Sequence, residues 1–277
     1  MLFGTASIFI RFLEKTDTFS IAFWRLVIAS MMLAAILIVL KKPFKFNVML
    51  RNFKDLIVLS IFLGLHFILF VSAVKDTTIL NATVFVNTTP IFSMFISSFI
   101  FKVKPSRLAV LGSTVSFIGV CTIAYAESSP SGFSPNMKGD IEAILAALVE
   151  AFYLNLGRKM HNKISLFSAM LPICLVAAVI VGFISIPMGH ALIIPLKFEF
   201  IIPLLCLGLL PTAMAHTLYF SSLSNLKSFE TATMALLEPV GATILGIIIF
   251  EEIPEPSFIF GAFFILLGVV FVTMQQE

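Results

Sequence analysis

Six long runs without a charged residue constrain the possible folds of this chain more than any other feature. They cover residues 56–74, 77–101, 108–126, 164–196, 200–226 and 256–276. Each run reaches the roughly 18 residues that a helix needs to cross the hydrocarbon core of a bilayer. Charged residues make up 12% of the chain, about half the ~25% of a soluble domain, and the mean hydropathy is +1.08. The sequence therefore predicts a membrane protein with several spans.

The apolar pattern resolves into ten segments, so the predicted fold is an all-α membrane protein with ten transmembrane helices. The predicted helices cover 1–13, 20–40, 55–74, 79–101, 107–125, 139–157, 165–187, 200–222, 230–250 and 257–274. Most connections are short. The two longest, 41–54 and 127–140, are too short to fold as domains, and the second divides the chain nearly in half.

The two halves of the chain repeat one pattern at an offset of 149 residues. Without gaps, this offset aligns Pro90 with Pro239, Phe101 with Phe250, Pro105 with Pro254, Gly112 with Gly261 and Gly119 with Gly268. We therefore predict a five-helix repeat over 1–126, an external linker over 127–138 and a second five-helix repeat over 139–277. Because five is odd, the second copy enters the membrane from the opposite side, which makes the pair an inverted-topology repeat.

The distribution of basic residues supports this inversion. With the C-terminus and the 41–54 connection in the cytoplasm, twelve of the 18 Lys and Arg residues lie inside, five lie outside and Arg25 lies within a span. This bias follows the positive-inside rule. We expect a multi-pass protein of the cytoplasmic membrane with both termini in the cytoplasm. The net charge of +3 reflects this topology, and no nucleic acid is expected as a partner.

The first span is shorter than its counterpart in the second half. Matching LFGTASIFIRF to LVEAFYLNLGR (148–158) leaves nothing opposite GDIEAILAA (139–147). Thirteen helical residues rise only ~20 Å, whereas the hydrocarbon core is ~30 Å thick. The expectation is that the first span begins upstream of Met1 or that helix 1 is a half-span.

Glu238 and Pro239 lie near the middle of the predicted ninth helix. An ionised carboxylate at the centre of a membrane helix costs about 2.5–3.5 kcal/mol on insertion scales. Pro239 and its repeat mate Pro90 each remove a backbone donor and free a carbonyl one turn earlier. Since transporters bind substrates where broken helices meet at a repeat interface, we predict helix breaks at both prolines and a substrate-binding role for Glu238.

Other polar and aromatic residues complete the expected substrate-binding site. They are Glu150, Asn87, His66, His216, Tyr153, Tyr219 and Trp24. Most lie at similar depth, which predicts a cavity among helices 3, 4, 6, 8 and 9. Each residue type also has a structural alternative: the carboxyl groups can bridge helices, and the amide and imidazole groups can satisfy neighbouring backbones. For Trp24 and Arg25 the alternative is anchoring at the membrane interface.

No cofactor is predicted. The chain lacks the G-x4-GK[ST] loop that binds nucleotide phosphates, and its three cysteines have no metal-ligand spacing. It has four histidines and no HExxH motif, which argues against a membrane-embedded enzyme. The expected partners are a small-molecule substrate, the lipid bilayer and, through Glu238 or Glu150, protons as the coupling ion.

Two long segments close the halves of the chain in the same way. LNATVFVNTTPIFSMFISSFIFKVKPSRLAVLGSTVSFIGV (80–120) and FETATMALLEPVGATILGIIIFEEIPEPSFIFGAFFILLGVVFV (229–272) each contain a proline-bearing helix, a polar loop and a G-x6-G helix. With FWRLVIAS (23–30) and GDIEAILAALVEAFYLNLGRKM (139–160), they resemble the EamA-type branch of the drug/metabolite transporter superfamily. The resemblance implies ten spans, cytoplasmic termini, a central cavity, and export or exchange of small metabolites such as amino acids. The short first span and FKVK in place of FEE depart from that pattern.

The expected function is therefore secondary transport of small, amino-acid-like metabolites by alternating access. Two alternatives remain open. The chain could be a multidrug or organic-cation efflux carrier, because aromatic residues and a carboxylate suit hydrophobic cations. It could also be a passive channel or scramblase, which would give flux that does not saturate.

Overall fold

The computed structural model describes residues 2–41, 46–127, 137–193, 197–240 and 256–274. Within these ranges the chain is helical and has no strand, which confirms the predicted all-α fold class. The α-helices are α1 Thr5–Phe12, α2 Thr18–Val39, α3 Phe46–Arg51, α4 Phe53–Asp76, α5 Ile79–Val86, α6 Thr89–Phe99, α7 Arg107–Glu127, α8 Met137–Met160, α9 Leu166–Ser185, α10 Phe198–Leu207, α11 His216–Ser222, α12 Ser228–Ala235 and α13 Pro256–Thr273. A π-helical segment, Gly208–Ala215, joins α10 to α11.

Five stretches of the described chain are long and apolar enough to cross a membrane. They are Thr18–Val39, Phe53–Asp76, Asn81–Phe99, Leu166–Ser185 and Phe198–Ser222. Shorter apolar helices, Arg107–Ile123 and Phe258–Thr273, accompany them. Large apolar side chains such as Ile38 and Phe99 are exposed on the outside of the bundle, while Ser60 and Ser93 are buried. This distribution is expected when the outer surface faces lipid tails rather than water.

Two turns interrupt the helices that carry Pro90 and Pro239. The helix expected over 79–101 is divided into α5 and α6 by a turn at Asn87 and Thr88. In the second half, α12 ends at Ala235, residues 236–237 form a turn and helical structure resumes at 238–240. At the repeat offset the two turns occupy equivalent positions. The remainder of the predicted ninth helix, 241–250, lies outside the described residues.

Three helical features differ from the predicted bounds. The 41–54 connection contains the short helix α3, Phe46–Arg51, which lies directly before α4. Helix α1 has only eight residues. The helix predicted over 200–222 contains the π-helical segment, whose wider turn accommodates Pro211 inside the helix. Periodicity alone does not signal such a segment, since its apolar pattern resembles that of an α-helix.

The helices α7 and α13 cross at two pairs of glycines. A Cβ placed on Gly112 would lie 2.5 Å from the carbonyl oxygen of Gly268, and one placed on Gly119 would lie 2.6 Å from that of Gly261. Residue numbers rise along one helix as they fall along the other, so the two helices are antiparallel. Since Gly112 is the repeat mate of Gly261 and Gly119 that of Gly268, each contact is repeated by its mates, as an inverted repeat requires.

At the centre of this crossing, a residue of the first half contacts its equivalent in the second half. The Ser116 hydroxyl donates to the Ile265 carbonyl oxygen at 3.1 Å. Ile265 follows Ser116 by 149 residues, so a residue and its own repeat mate are in direct contact. Only residues close to a two-fold axis contact their own mates. The approximate two-fold axis of the fold therefore passes near Ser116.

We expect Gly119→Ala to lower the apparent melting temperature of the protein purified in detergent. The added methyl group has no space at the crossing, and overpacking of this kind costs about 1–3 kcal/mol. Gly182→Ala is the matched control, since a Cβ there lies 3.4 Å from the Phe23 ring, at ordinary contact distance. Equal melting temperatures for the two variants would contradict the tight crossing.

Candidate functional site

A cavity lies where the two helix breaks meet, and residues of both halves line it. Six of the ten residues predicted for the site are among its lining: Glu238, Glu150, Asn87, His66, His216 and Pro90. The predicted helices 3, 4, 6, 8 and 9 all contribute, and α1 and α2 do so as well. About 50 Å³ is open to the centres of water molecules, and about 10–15 Å³ suffices for one water. The cavity is thus small but large enough to hold water.

Equivalent residues begin the second part of each broken helix. Thr89 is the first residue of α6, and its repeat mate Glu238 is the first helical residue after the second break. Both line the cavity. The Thr89 hydroxyl lies 2.7 Å from the Val86 carbonyl oxygen, which the break and Pro90 leave without a helical donor. The positive end of the α6 dipole therefore points towards the cavity.

Glu150 approaches the first break from α8. Its Oε2 lies 3.1 Å from the hydroxyl oxygen of Thr89. Neither Glu150 nor Glu238 forms an ion pair with any residue in the described ranges, although both line the cavity. Two carboxyl groups without an ion pair are unusual in a membrane interior, where charges are normally paired or face water.

The two histidines form an aromatic wall of the cavity. The His66 Nδ1 lies 3.1 Å from the Ala146 carbonyl oxygen, and because a carbonyl only accepts, this nitrogen carries the hydrogen. Its Nε2 is left for the cavity. The His216 ring packs edge-on against Phe3 and Phe67, each with centroids 4.9 Å away, and its Nδ1 has no hydrogen-bond partner in the described part of the chain.

The two predicted tyrosines lie beside the cavity rather than in its lining. The Tyr153 hydroxyl donates to the Met170 sulfur at 3.3 Å, inside the packed core. The Tyr219 ring lies 5.3 Å from that of Phe3, and its hydroxyl has no partner among the described residues. Tyr219 therefore packs behind Phe3, a lining residue, while Tyr153 packs between helices.

Trp24 and Arg25 are adjacent in α2 and have different surroundings. The Trp24 indole donates from Nε1 to the Leu192 carbonyl oxygen at 3.1 Å, away from the cavity lining. Arg25 is only 1% exposed and lines the cavity. Sequence reasoning gave interfacial anchoring as an alternative for both residues and did not place Arg25 in the site. The available signal was a basic residue within a span, where charges commonly mark functional sites.

The guanidinium of Arg25 is held by two neighbouring elements. Its Nε donates to the Thr212 hydroxyl at 3.0 Å, and its Cζ lies 3.8 Å above the centre of the Phe67 ring. Thr212 belongs to the π-helical segment and in turn donates to the Leu207 carbonyl oxygen at 2.7 Å. A π-helical turn displaces its side chains from the usual register and is frequent at functional sites. Here it brings a hydroxyl to Arg25.

A second residue that sequence reasoning did not select, Asn155, connects the broken helices. Its Nδ2 donates to the Ser93 hydroxyl of α6 at 3.0 Å and to the Ala151 carbonyl oxygen at 2.9 Å. Its Oδ1 accepts from the Ser228 hydroxyl of α12 at 2.7 Å. Asn155 faces away from the cavity, yet it links helices of both halves beside it. Its buried side chain is therefore fully satisfied.

Comparisons with known proteins identify similar transporters and one solved structure of similar fold. The chain is similar to an uncharacterized transporter of Archaeoglobus fulgidus, with 25% identity over 100% of this chain and 95% of that protein. It is 27% identical to the uncharacterized transporter YdfC of Bacillus subtilis, over 92% of this chain and 81% of YdfC. A crystal structure with 16% identity superposes with a TM-score of 0.80 over 99% of this chain and 94% of that one, a likeness of fold.

The family match covers both halves of the chain. The model of the EamA-like transporter family matches residues 1–125 and, separately, residues 137–274. The interval between the two matches, 126–136, overlaps the segment predicted as the linker, 127–138, whose last two residues belong to the second match and to α8. The chain therefore belongs to the EamA-like transporter family.

Proposed function

We propose that the protein is a secondary transporter that moves small, amino-acid-like metabolites by alternating access around this cavity. The observation that carries the proposal is a cavity large enough for water, formed by both halves at their helix breaks and lined in part by seven polar or charged residues, inside a shell of apolar side chains. Irregular backbone at membrane depth is tolerated where it is buried in protein or lines water. Rocking one half against the other would expose such a cavity to each side in turn.

The geometry at Thr89 supports protons as the coupling ion. A hydroxyl has one hydrogen, and the Thr89 oxygen has two close acceptors, the Val86 carbonyl at 2.7 Å and Glu150 Oε2 at 3.1 Å. If the hydrogen goes to Val86, the contact with Glu150 is a hydrogen bond only when Glu150 carries a proton and donates it. Glu150 can thus bind a proton without losing its partner, and Glu238 stands in the same cavity.

The proposal is tested by counterflow in vesicles. Candidate substrates are first ranked by thermal shift of the purified protein, because a ligand at about 100 times its dissociation constant stabilises the folded state by about 2.7 kcal/mol. Vesicles loaded with an unlabelled compound should then accumulate the labelled one, and the rate should saturate. Flux that neither saturates nor shows counterflow would instead identify a passive channel or scramblase.

An organic-cation efflux carrier is the second candidate, favoured by one observation. The rings of Phe3 and Phe67 pack against His216 in the lining of the cavity that also contains the two carboxyl groups, an arrangement suited to hydrophobic cations. Quaternary amines in the thermal-shift panel separate the candidates. They should stabilise an efflux carrier more than any metabolite does.

We further propose cytoplasmic termini, an external linker over 127–138 and net export or exchange. In a cysteine-free background, Lys104→Cys should react with an impermeant maleimide only from the cytoplasm and Glu252→Cys only from outside. The positive-inside rule gives this direction, since 101–107 is basic and 250–256 is acidic. Labelling of both positions from one side would contradict the inverted arrangement.

A further inference from the structure

Arg25 carries a buried charge that forms no ion pair among the described residues. The residue is 1% exposed, and only its Nε has a hydrogen-bond partner in the described chain. Its Nη1 is buried and unpaired, and none of its nitrogens forms an ion pair there. A guanidinium has five N–H groups, so most of its donors are unused. An uncompensated buried charge is strongly unfavourable, which requires an explanation from function.

The unused donors around Arg25 share one chemical requirement. Asn87, which lines the same cavity, has an amide nitrogen without a partner among the described residues. Guanidinium and amide NH₂ groups donate and cannot accept, so both need an acceptor. The N-terminal end of α6 faces the same cavity, and Glu150 lies 3.1 Å from its first residue, Thr89. The unpaired donors of Arg25 and Asn87 are therefore the groups suited to an oxyanion.

The surroundings of Arg25 are arranged to present its fork of N–H groups. The Phe67 ring covers one face of the guanidinium at 3.8 Å, and Thr212 holds its Nε at 3.0 Å. These contacts fix the plane and leave the two terminal nitrogens for a ligand. Carboxylate and phosphate oxygens match such a fork with two parallel hydrogen bonds.

Two acidic residues of the cavity limit what else the ligand can carry. Glu150 and Glu238 place two carboxyl groups in the same cavity. They would repel additional negative charge and accept hydrogen bonds from a cationic or hydroxyl group. The best fit is therefore a small molecule with one oxyanionic group and a donor group, rather than a purely cationic compound.

We propose that Arg25, together with Asn87 of the same cavity, forms an oxyanion subsite, so the transported molecule carries a carboxylate or phosphate group. The claim that the ligand is transported rests on the proposed function. The claim that it binds at Arg25 does not, because binding can be measured directly. It excludes organic cations without an oxyanion as preferred ligands.

The test uses a matched set of small probes in thermal-shift titrations of the full chain in detergent. The probes are valine, isovalerate, the phosphonate analogue of valine, valinamide and isobutylamine, which share an isopropyl group and differ in their charged groups. Wild-type protein should be stabilised by probes that carry an oxyanion and not by the last two. Carboxylate and phosphonate are then distinguished by which gives the lower dissociation constant.

Arg25→Met should weaken oxyanion binding by about tenfold to a hundredfold, the effect of losing a charge-assisted hydrogen bond. Its melting temperature without ligand should equal or exceed that of the wild type, because an apolar side chain replaces an uncompensated charge. A purely structural role would lower that temperature instead. Arg51→Met, which removes an exposed arginine outside the cavity, should leave binding unchanged.

Arg25→Lys keeps the test decisive if the methionine variant does not fold. Lysine retains the charge without the planar fork, so oxyanion binding should be weakened and not abolished. The proposal is overturned if no oxyanion probe binds the wild type, if valinamide or isobutylamine binds as tightly as valine, or if both substitutions leave oxyanion affinity unchanged. Oxyanion binding without counterflow in vesicles would overturn the transport function and leave the subsite intact.

Discussion

Replacing Glu238 or Glu150 by glutamine should reduce transport by about tenfold to a hundredfold, the loss expected when a charged hydrogen-bonding group is removed from a buried site. Glutamine has nearly the same shape as glutamate but cannot exchange a proton or neutralise a cationic group. For a proton-coupled carrier, the variants should also lose their response to a pH gradient. The measurement is counterflow and gradient-driven uptake in reconstituted vesicles.

The two substitutions are expected to differ in their structural consequences. The Glu150 side chain contacts Thr89 at 3.1 Å, and a glutamine there can still donate to that hydroxyl oxygen. Among the described residues Glu238 has no comparable hydrogen bond, so its substitution should disturb the fold less. Because glutamine has nearly the shape of glutamate, we expect Thr89, His66, His216 and Tyr219 to keep their positions, so that only the carboxyl group changes.

Glu142→Gln is the control for both variants. Glu142 lies on the same helix as Glu150 and forms an ion pair with Lys138 at 3.8 Å, outside the cavity lining. Its substitution should leave transport and its pH dependence unchanged. If both cavity variants behave like this control, the two carboxyl groups bind neither a proton nor the substrate, and they are structural.

Filling the cavity with an apolar side chain should have the second large effect. Ala235 is the last residue of α12 and lines the cavity, in which about 50 Å³ is open to water centres. Leucine at this position adds three carbon atoms to that space without changing any charge. We expect substrate affinity to fall by more than about tenfold while the melting temperature stays equal or rises, since filling a cavity commonly stabilises a protein.

Ala35→Leu is the matched control because Ala35 is exposed on α2, among the side chains that face lipid. It adds the same three carbons where space is not limited and should change neither affinity nor transport. A leucine at position 235 that leaves affinity intact would show that the substrate binds elsewhere. A fall in melting temperature would show overpacking instead, and Ala235→Val would then be the smaller substitution to measure.

The fold could be predicted because it depends on features that are local in the sequence. Long uncharged runs predict spans wherever they occur, and a fixed offset between prolines and glycines predicts a repeat without knowledge of contacts. The breaks near Pro90 and Pro239 followed from the missing backbone donor. The glycine pairs of α7 and α13 then show, in atomic contact, the inversion that an odd helix number implied.

The surroundings of Arg25 could not be predicted in the same way. The sequence placed this residue near one end of a span, where a basic side chain normally reaches the interface. Its burial depends on Phe67 and Thr212, which are 42 and 187 residues away and belong to other helices. The π-helical segment that supplies Thr212 also lacks a distinct periodicity. Packing between distant segments therefore decided which polar residues line the cavity.

Asn155 illustrates the opposite case. Its position five residues after Glu150 indicated that it points away from the cavity side of the helix, and in the structure it contacts Ser93 and Ser228 instead. The direction could be derived from helical geometry. The partners could not, because they depend on how α6 and α12 pack against α8.

The unequal pair at the two helix breaks has a consequence for vectorial movement. In a carrier built from identical inverted halves, exchanging their conformations would convert one open form into the other with no energy difference. Thr89 and Glu238 occupy equivalent positions in the cavity, but only Glu238 can carry a charge. The two open forms of such a carrier would therefore differ in energy. Interchanging the two side chains is then expected to change which face of the bilayer the empty carrier prefers.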